Sequence, residues 1–198
     1  MLRSCGVGLL NCVLTFRLLS SKNHVLGFVM NEVVMLIGNI GTGKSTIARV
    51  LQKEEAYVII SADGMRYSIG GGNYLFNPKY ESTIWRIVGF ALNGFMELGI
   101  NIIIDATNLS LYARKKNLDI IKKYENYKVI GFVMPDLDMA AAVNRRMQDP
   151  HDSPDKNMWE GAWKRLNSTY EKPTKGEGFD EIIFLDEEME LLPLGYVG

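Results

Sequence analysis

The run Gly38, Asn39, Ile40, Gly41, Thr42, Gly43, Lys44 and Ser45, followed by Thr46, fits the phosphate-binding spacing G-x-x-x-x-G-K-[ST] at every specified position. These residue types suit a polyphosphate. Glycines let the backbone curl so that successive N–H groups converge on an anion. The Lys44 ammonium adds a mobile positive charge, and the Ser45 hydroxyl can reach Mg²⁺. Residues 38–46 are therefore expected to hold ATP with its Mg²⁺; no guanine-reading [NT]-K-x-D pattern accompanies them. Three further sets of side chains have chemical potential. Asp63 and Arg66 lie three apart in Ser61-Ala62-Asp63-Gly64-Met65-Arg66, so a helical turn would present both to one side. Asp63 is a candidate base there, or simply the cap of the next helix. Asp105 ends an apolar run and is a candidate Mg²⁺ ligand beside Ser45. Arg145 and Arg146 precede a polar, proline-punctuated stretch, Gln148 to Pro154. They are candidates for a lid that closes over phosphates, or plain surface arginines.

Positioning these groups requires an α/β chain. Val33-Val34-Met35-Leu36-Ile37 reads as a buried strand before the glycine turn, and Ile47, Val50 and Leu51 mark the helix after it. Tyr57 to Ile60, Ile102 to Asp105, Tyr127 to Val133 and Ile182 to Leu185 read as four more strands. Asn77-Pro78 starts a helix that keeps its period through Ile84, Val88, Ala91 or Leu92, and Phe95 to Gly99, and Ser110 caps another running to Tyr124. A short helix begins near Asp136 or Asp138, and a further one spans Lys156 to Tyr170. Trp85 and Trp159 read as core rather than as stacking platforms, and His151 as a loop histidine. The expected fold is a three-layer P-loop NTPase: a five-stranded, mainly parallel sheet flanked by helices, with a helical lid. In such a sheet ligands sit beyond the carboxyl ends of the strands, which puts Asp63 near the phosphates.

Composition narrows the partners. A net charge of −1 and a pI near 6.2 exclude a general electrostatic grip on duplex nucleic acid. The two cysteines, Cys5 and Cys12, both precede the first strand, which argues against zinc in the body of the chain. Residues 1–31 carry Arg3, Arg17 and Lys22 but no acidic residue, and read as an early-start extension or a targeting segment, with Met30 the natural beginning. Asn11 and Arg17 interrupt the apolar run there, so no membrane span is expected. Residues 32–198 read as one cytoplasmic kinase domain.

Taken together, Gly38 to Thr46, the D-x-x-R motif at Asp63 and Arg66, and Asp105-Ala106-Thr107-Asn108 resemble the kinase domain of the polynucleotide 5′-kinase family of phage and bacterial end-healing enzymes. Tyr170-Glu171-Lys172-Pro173 and Glu177-Gly178-Phe179-Asp180 are similar to that family's closing segment, so the resemblance spans Val33 to Leu185. It implies that Lys44 and Ser45 hold ATP–Mg²⁺, that Asp63 activates an acceptor hydroxyl, and that Arg66 grips the acceptor's phosphate. Family lids carry two arginines about four apart, whereas Arg145 and Arg146 are adjacent. The acceptor is expected to be a nucleic-acid 5′ end or a small phosphorylated molecule. A sugar or nucleoside-type kinase and a non-catalytic nucleotide switch are the alternatives.

Overall fold

The computed structural model describes residues 24–25 and 28–186. Both cysteines, the apolar run from Val7 to Leu19 and the tail after Asp186 lie outside the described residues. A two-residue pair, β1 (His24–Val25) and β2 (Phe28–Val29), forms an antiparallel hairpin ahead of the main sheet.

The main sheet comprises β3 (Asn31–Ile37), β4 (Val58–Ser61), β5 (Ile102–Asp105), β6 (Tyr127–Val133) and β7 (Glu181–Phe184), in the spatial order β4-β5-β3-β6-β7. Every pairing in it is parallel. Parallel strands need crossovers, and helices supply them. In chain order these are α1 (Lys44–Glu55), α2 (Ala62–Ile69), α3 (Pro78–Glu97), α4 (Leu111–Ile121), α5 (Met139–Met147) and α6 (Lys156–Asn167).

Strand β3 shows why the sequence folds this way. Its side chains alternate between faces with period two, and both faces are covered. Val33, Met35 and Ile37 pack with Ile84, Val88, Leu92 and Met96 of α3, while Val34 and Leu36 pack with Ile47, Ala48 and Leu51 of α1. An apolar run without polar alternation is thus what a central parallel strand requires.

Local differences from the sequence reading have local causes. Trp85 is exposed rather than core, because Ile84, Val88, Leu92 and Met96 take the inward face of α3 and the next position turns about 100° away. Helix α6 stops at Asn167, short of Tyr170: the Ser168 and Thr169 hydroxyls donate to the Arg165 and Leu166 carbonyls, closing the last turn. Asp138, not Asp136, caps α5 by accepting from the Ala141 N–H at 2.8 Å.

The closing segment is a structural brace. Arg114 of α4, with no exposed surface, makes a side-on pair with Glu177 (Nε to Oε2 2.6 Å, Nη2 to Oε1 3.0 Å) and donates to the Asn108 and Leu109 carbonyls. Glu171 accepts from the Leu111 N–H at the start of α4. These bonds tie the chain after α6 to the turn that follows β5.

Candidate active site

The parallel register brings the loop after β3 and the ends of β4 and β5 together. Ser61 pairs with Asp105, and Met35 pairs with Ile104, so Asp63 and Asp105 lie on one side of the glycine turn that follows Ile37. The turn itself is stitched down by Gly38 N–H donating to Thr107 O (2.9 Å) and by the buried Asn108 amide donating to Leu36 O (2.7 Å). Gly43, at φ 91°, sits at the N-cap of α1, a conformation that a glycine adopts without strain. Gly41, at φ 73°, has a second constraint: a Cβ there would lie 2.5 Å from Ala142 O of α5.

Lys44 is buried, and its Nζ donates to Asn39 O at 2.5 Å. Burial pulls the ammonium down to about 8 from 10.5, against the opposing charges of Asp105 and Asp63, with Arg146 lowering it further. Ser45 is exposed and hydrogen-bonds the Asp105 carboxylate, whose acidity is weakened by burial and partly restored by Ser45 and Lys44. Among the described residues no group of three or more His, Cys, Asp or Glu could hold a metal. Ser45 and Asp105 offer two hard oxygens, which fits Mg²⁺ carried in on nucleotide phosphates and keeping its waters.

Asp63 is not the cap of α2. Ser61 holds that position and accepts the Gly64 N–H at 3.1 Å, leaving Asp63 in the first turn with its side chain free for other contacts. Its Oδ1 accepts from Arg66 Nη1 at 2.5 Å, and its side chain is 46% exposed. Arg66 is buried and is also held by Glu81 in the first turn of α3, Nε to Oε1 at 3.0 Å and Nη2 to Oε2 at 2.5 Å. Burial alone would lower the Arg66 guanidinium, but Glu81 and Asp63 more than reverse that and hold it above its ordinary value.

The two adjacent arginines of α5 part company. Arg145 Nη1 donates to Gly41 O at 3.0 Å, reaching the glycine turn from an exposed position. Arg146 is packed over Trp159 (4.3 Å to the ring centroid) and Tyr74 (5.5 Å), and it pairs with the buried Asp152 (Nη2 to Oδ1 3.0 Å). Tyr67 donates its hydroxyl to the same carboxylate. Trp159 is buried as expected, but against Arg146 and Tyr74 instead of the main core, its indole N–H donating to Ser153 O. His151 lies in the loop and accepts the Tyr74 N–H through its carbonyl.

Glu81, Tyr74 and Asp152 went unseen in the sequence. An acidic residue in the first turn of a helix is common for electrostatic reasons alone, so Glu81 carried no distinct signal. Among the described residues no helix is long and apolar enough to cross a membrane.

A parallel sheet with this loop at its carboxyl edge defines a P-loop nucleotide-binding protein with a kinase-like fold. The chain belongs to the AAA domain family, whose profile matches residues 33–173. Among solved structures, a chain of the Pnkp1/Rnl/Hen1 complex is 29% identical with a TM-score of 0.51, covering 59% of this chain and 39% of that one. A structure of the Pnkp1/Rnl/Hen1 RNA repair complex matches at 24% identity and TM-score 0.58, covering 89% of this chain and 52% of that one. The chain thus spans 39% and 52% of these two relatives. A putative kinase from Chloroflexus aurantiacus (13% identity, TM-score 0.60) and a sugar kinase from Janibacter (18%, 0.52) share the fold, each over 80% of this chain and 86% of its own. No curated protein matches the chain.

Proposed function

We propose that the protein is an ATP-dependent phosphotransferase that phosphorylates a 5′-hydroxyl of RNA or DNA. The observation that carries this reading is the pairing of Asp63 with Arg66 at the edge of the nucleotide loop, close enough for the Asp63 charge to act on Lys44. A nucleotide switch has no use for an acceptor carboxylate and guanidinium beside the γ-phosphate position. The 29% identity to a chain of the Pnkp1/Rnl/Hen1 complex, and the likeness to its RNA repair assembly, support a nucleic-acid acceptor over a sugar.

Bound ATP–Mg²⁺ supplies the phosphoryl group and a cation that neutralises its charge. The chain's own residues do the rest. Asp63 orients the acceptor hydroxyl and takes its proton late, as the oxygen acquires charge. Arg66 has five N–H donors, of which three are engaged by Asp63 and Glu81, leaving one on each Nη for an acceptor phosphate. Lys44 leaves the Asn39 carbonyl to follow the phosphate oxygens. Arg145, exposed and bonded only to a backbone oxygen in the contacts described, swings onto the transferring group, while Arg146 stays anchored to Asp152.

The test is transfer of label from γ-labelled ATP to a 5′-hydroxyl RNA oligonucleotide, run beside a DNA oligonucleotide, a 3′-phosphorylated nucleoside and a panel of sugars. Label on an oligonucleotide, abolished in Asp63→Ala, is the expected result. Label confined to a sugar makes the chain a small-molecule kinase, and ATP turnover indifferent to Asp63→Ala makes it a switch.

A further inference from the structure

Arg66 stands between two carboxylates that hold it differently. Glu81 engages the Nε–Nη2 edge with both oxygens, while Asp63 uses one oxygen on Nη1. Guanidinium and carboxylate favour the two-point arrangement, and in an isolated pair three residues apart on one helix Asp63 would be drawn into it. Here that edge is already taken. Two carboxylates against one guanidinium leave this trio with a net charge of −1; the Lys44 ammonium and the Tyr74 hydroxyl, which hydrogen-bonds Asp63, are the further groups that act on that carboxylate. Burial sharpens the effect: the Arg66 side chain is 10% exposed and Glu81 23%, whereas Asp63, at 46%, opens to the site.

We infer that Glu81 is a positioning residue for the acceptor side: its side-on grip keeps Arg66 from closing on both oxygens of Asp63 and so leaves the Asp63 carboxylate able to take a proton. The inference rests on the reading of Asp63 as the acceptor-side base. Without Glu81, Arg66 turns to bind both oxygens of Asp63, the base is neutralised and occupied, and the two N–H groups reserved for the acceptor phosphate turn away. The donor half, built on Lys44, Ser45 and Asp105, does not touch Glu81 and is unaffected.

The variants are Glu81→Gln, nearly isosteric and uncharged, and Glu81→Asp, which keeps the charge on a shorter arm, each measured alone and with Arg66→Ala. Glu81→Gln is expected to lower kcat roughly tenfold or more while the KM for ATP stays within about twofold, with Glu81→Asp intermediate. In the Arg66→Ala background, Glu81→Gln changes kcat by less than about twofold, because the residue acts only through Arg66. A pair of merely structural value would lower the melting temperature and leave kcat per folded enzyme alone. An active wild type whose Glu81→Gln variant keeps kcat within about twofold, or whose double variant multiplies the two losses, overturns the inference alone. A wild type that labels no acceptor overturns the proposed function, and the inference goes with it.

Discussion

Lys44 carries a cost in the nucleotide-free protein that its removal should expose. Its ammonium is pulled from 10.5 to about 8 by burial, so at pH 7 the folded chain still holds a charge it would more readily give up. A drop of this size corresponds to about 3 kcal/mol of lost stability at roughly 1.4 kcal/mol per pKa unit. Lys44→Met keeps the length of the side chain and removes the charge, at the expense of the bond to Asn39 O, worth about 1 to 2 kcal/mol. The net gain is about 1 to 2 kcal/mol, which for a chain of this size is a rise in melting temperature of roughly 3 to 6 °C. Circular dichroism melts without nucleotide at pH 7 measure it. The sign of the pH dependence follows from proton counting. Below pH 8 the lysine is protonated in both folded and unfolded chains, so the penalty is full and constant. Between about 8 and 10.5 the unfolded chain binds the extra proton, wild-type stability from this group rises with pH, and its gap to Lys44→Met closes. Equal or lower melting temperature in Lys44→Met at pH 7, or a gap that does not change with pH, refutes the reasoning. Nucleotide phosphates reverse the balance by favouring the charged amine, so binding above pH 8 should take up a proton, visible by calorimetry in buffers of different ionisation enthalpy.

Three more perturbations test two parts of the site and the brace behind it. Asp63→Asn should lower kcat on any acceptor by about a hundredfold while ATP affinity by equilibrium titration holds within a few fold, because the work proposed for the residue is proton transfer and orientation; an equal loss in ATP binding would place Asp63 on the donor side. Gly41→Ala forces a side chain into a φ of 73° and against Ala142 O, so ATP-induced thermal stabilisation should largely disappear, and a variant that keeps it contradicts the close approach. Glu177→Ala strands the fully buried Arg114 and should cost about 3 to 5 kcal/mol in denaturant unfolding, whereas Arg114→Met with Glu177→Leu should cost much less; equal losses would deny a buried-charge origin.

The elements that carry these groups were readable because their determinants are local. An apolar pentad, three glycines and a helical stripe place residues 33–51 with no help from the rest of the chain, and Asn77-Pro78 starts α3 at the residue where the structure starts it. What stayed hidden depends on distant partners. Arg66 and Glu81 meet only because α3 packs across α2, and Arg114 meets Glu177 because the chain returns after α6. No spacing rule reports such pairs. Asp63 shows the intermediate case: its position after β4 was legible, but whether it capped the helix turned on Ser61, two residues earlier, which starts α2 sooner and caps it by accepting the Gly64 N–H.

The adjacency of Arg145 and Arg146 follows the same logic. Successive residues on a helix point about 100° apart, so two adjacent arginines on α5 cannot close over one phosphate from the same face. The structure divides them accordingly: Arg145 faces Gly41 of the nucleotide loop, and Arg146 turns to Asp152, Trp159 and Tyr74. Arg146 thereby fastens the segment between α5 and α6 to the loop after α2, next to the proposed acceptor side, while Arg145 stays at the nucleotide loop. Arg146→Ala should therefore raise amide hydrogen exchange at Tyr74, whose N–H donates to His151 O at 2.9 Å, whereas Arg145→Ala should leave it unchanged. Unchanged exchange in Arg146→Ala would return that residue to the surface as a second mobile lid arginine.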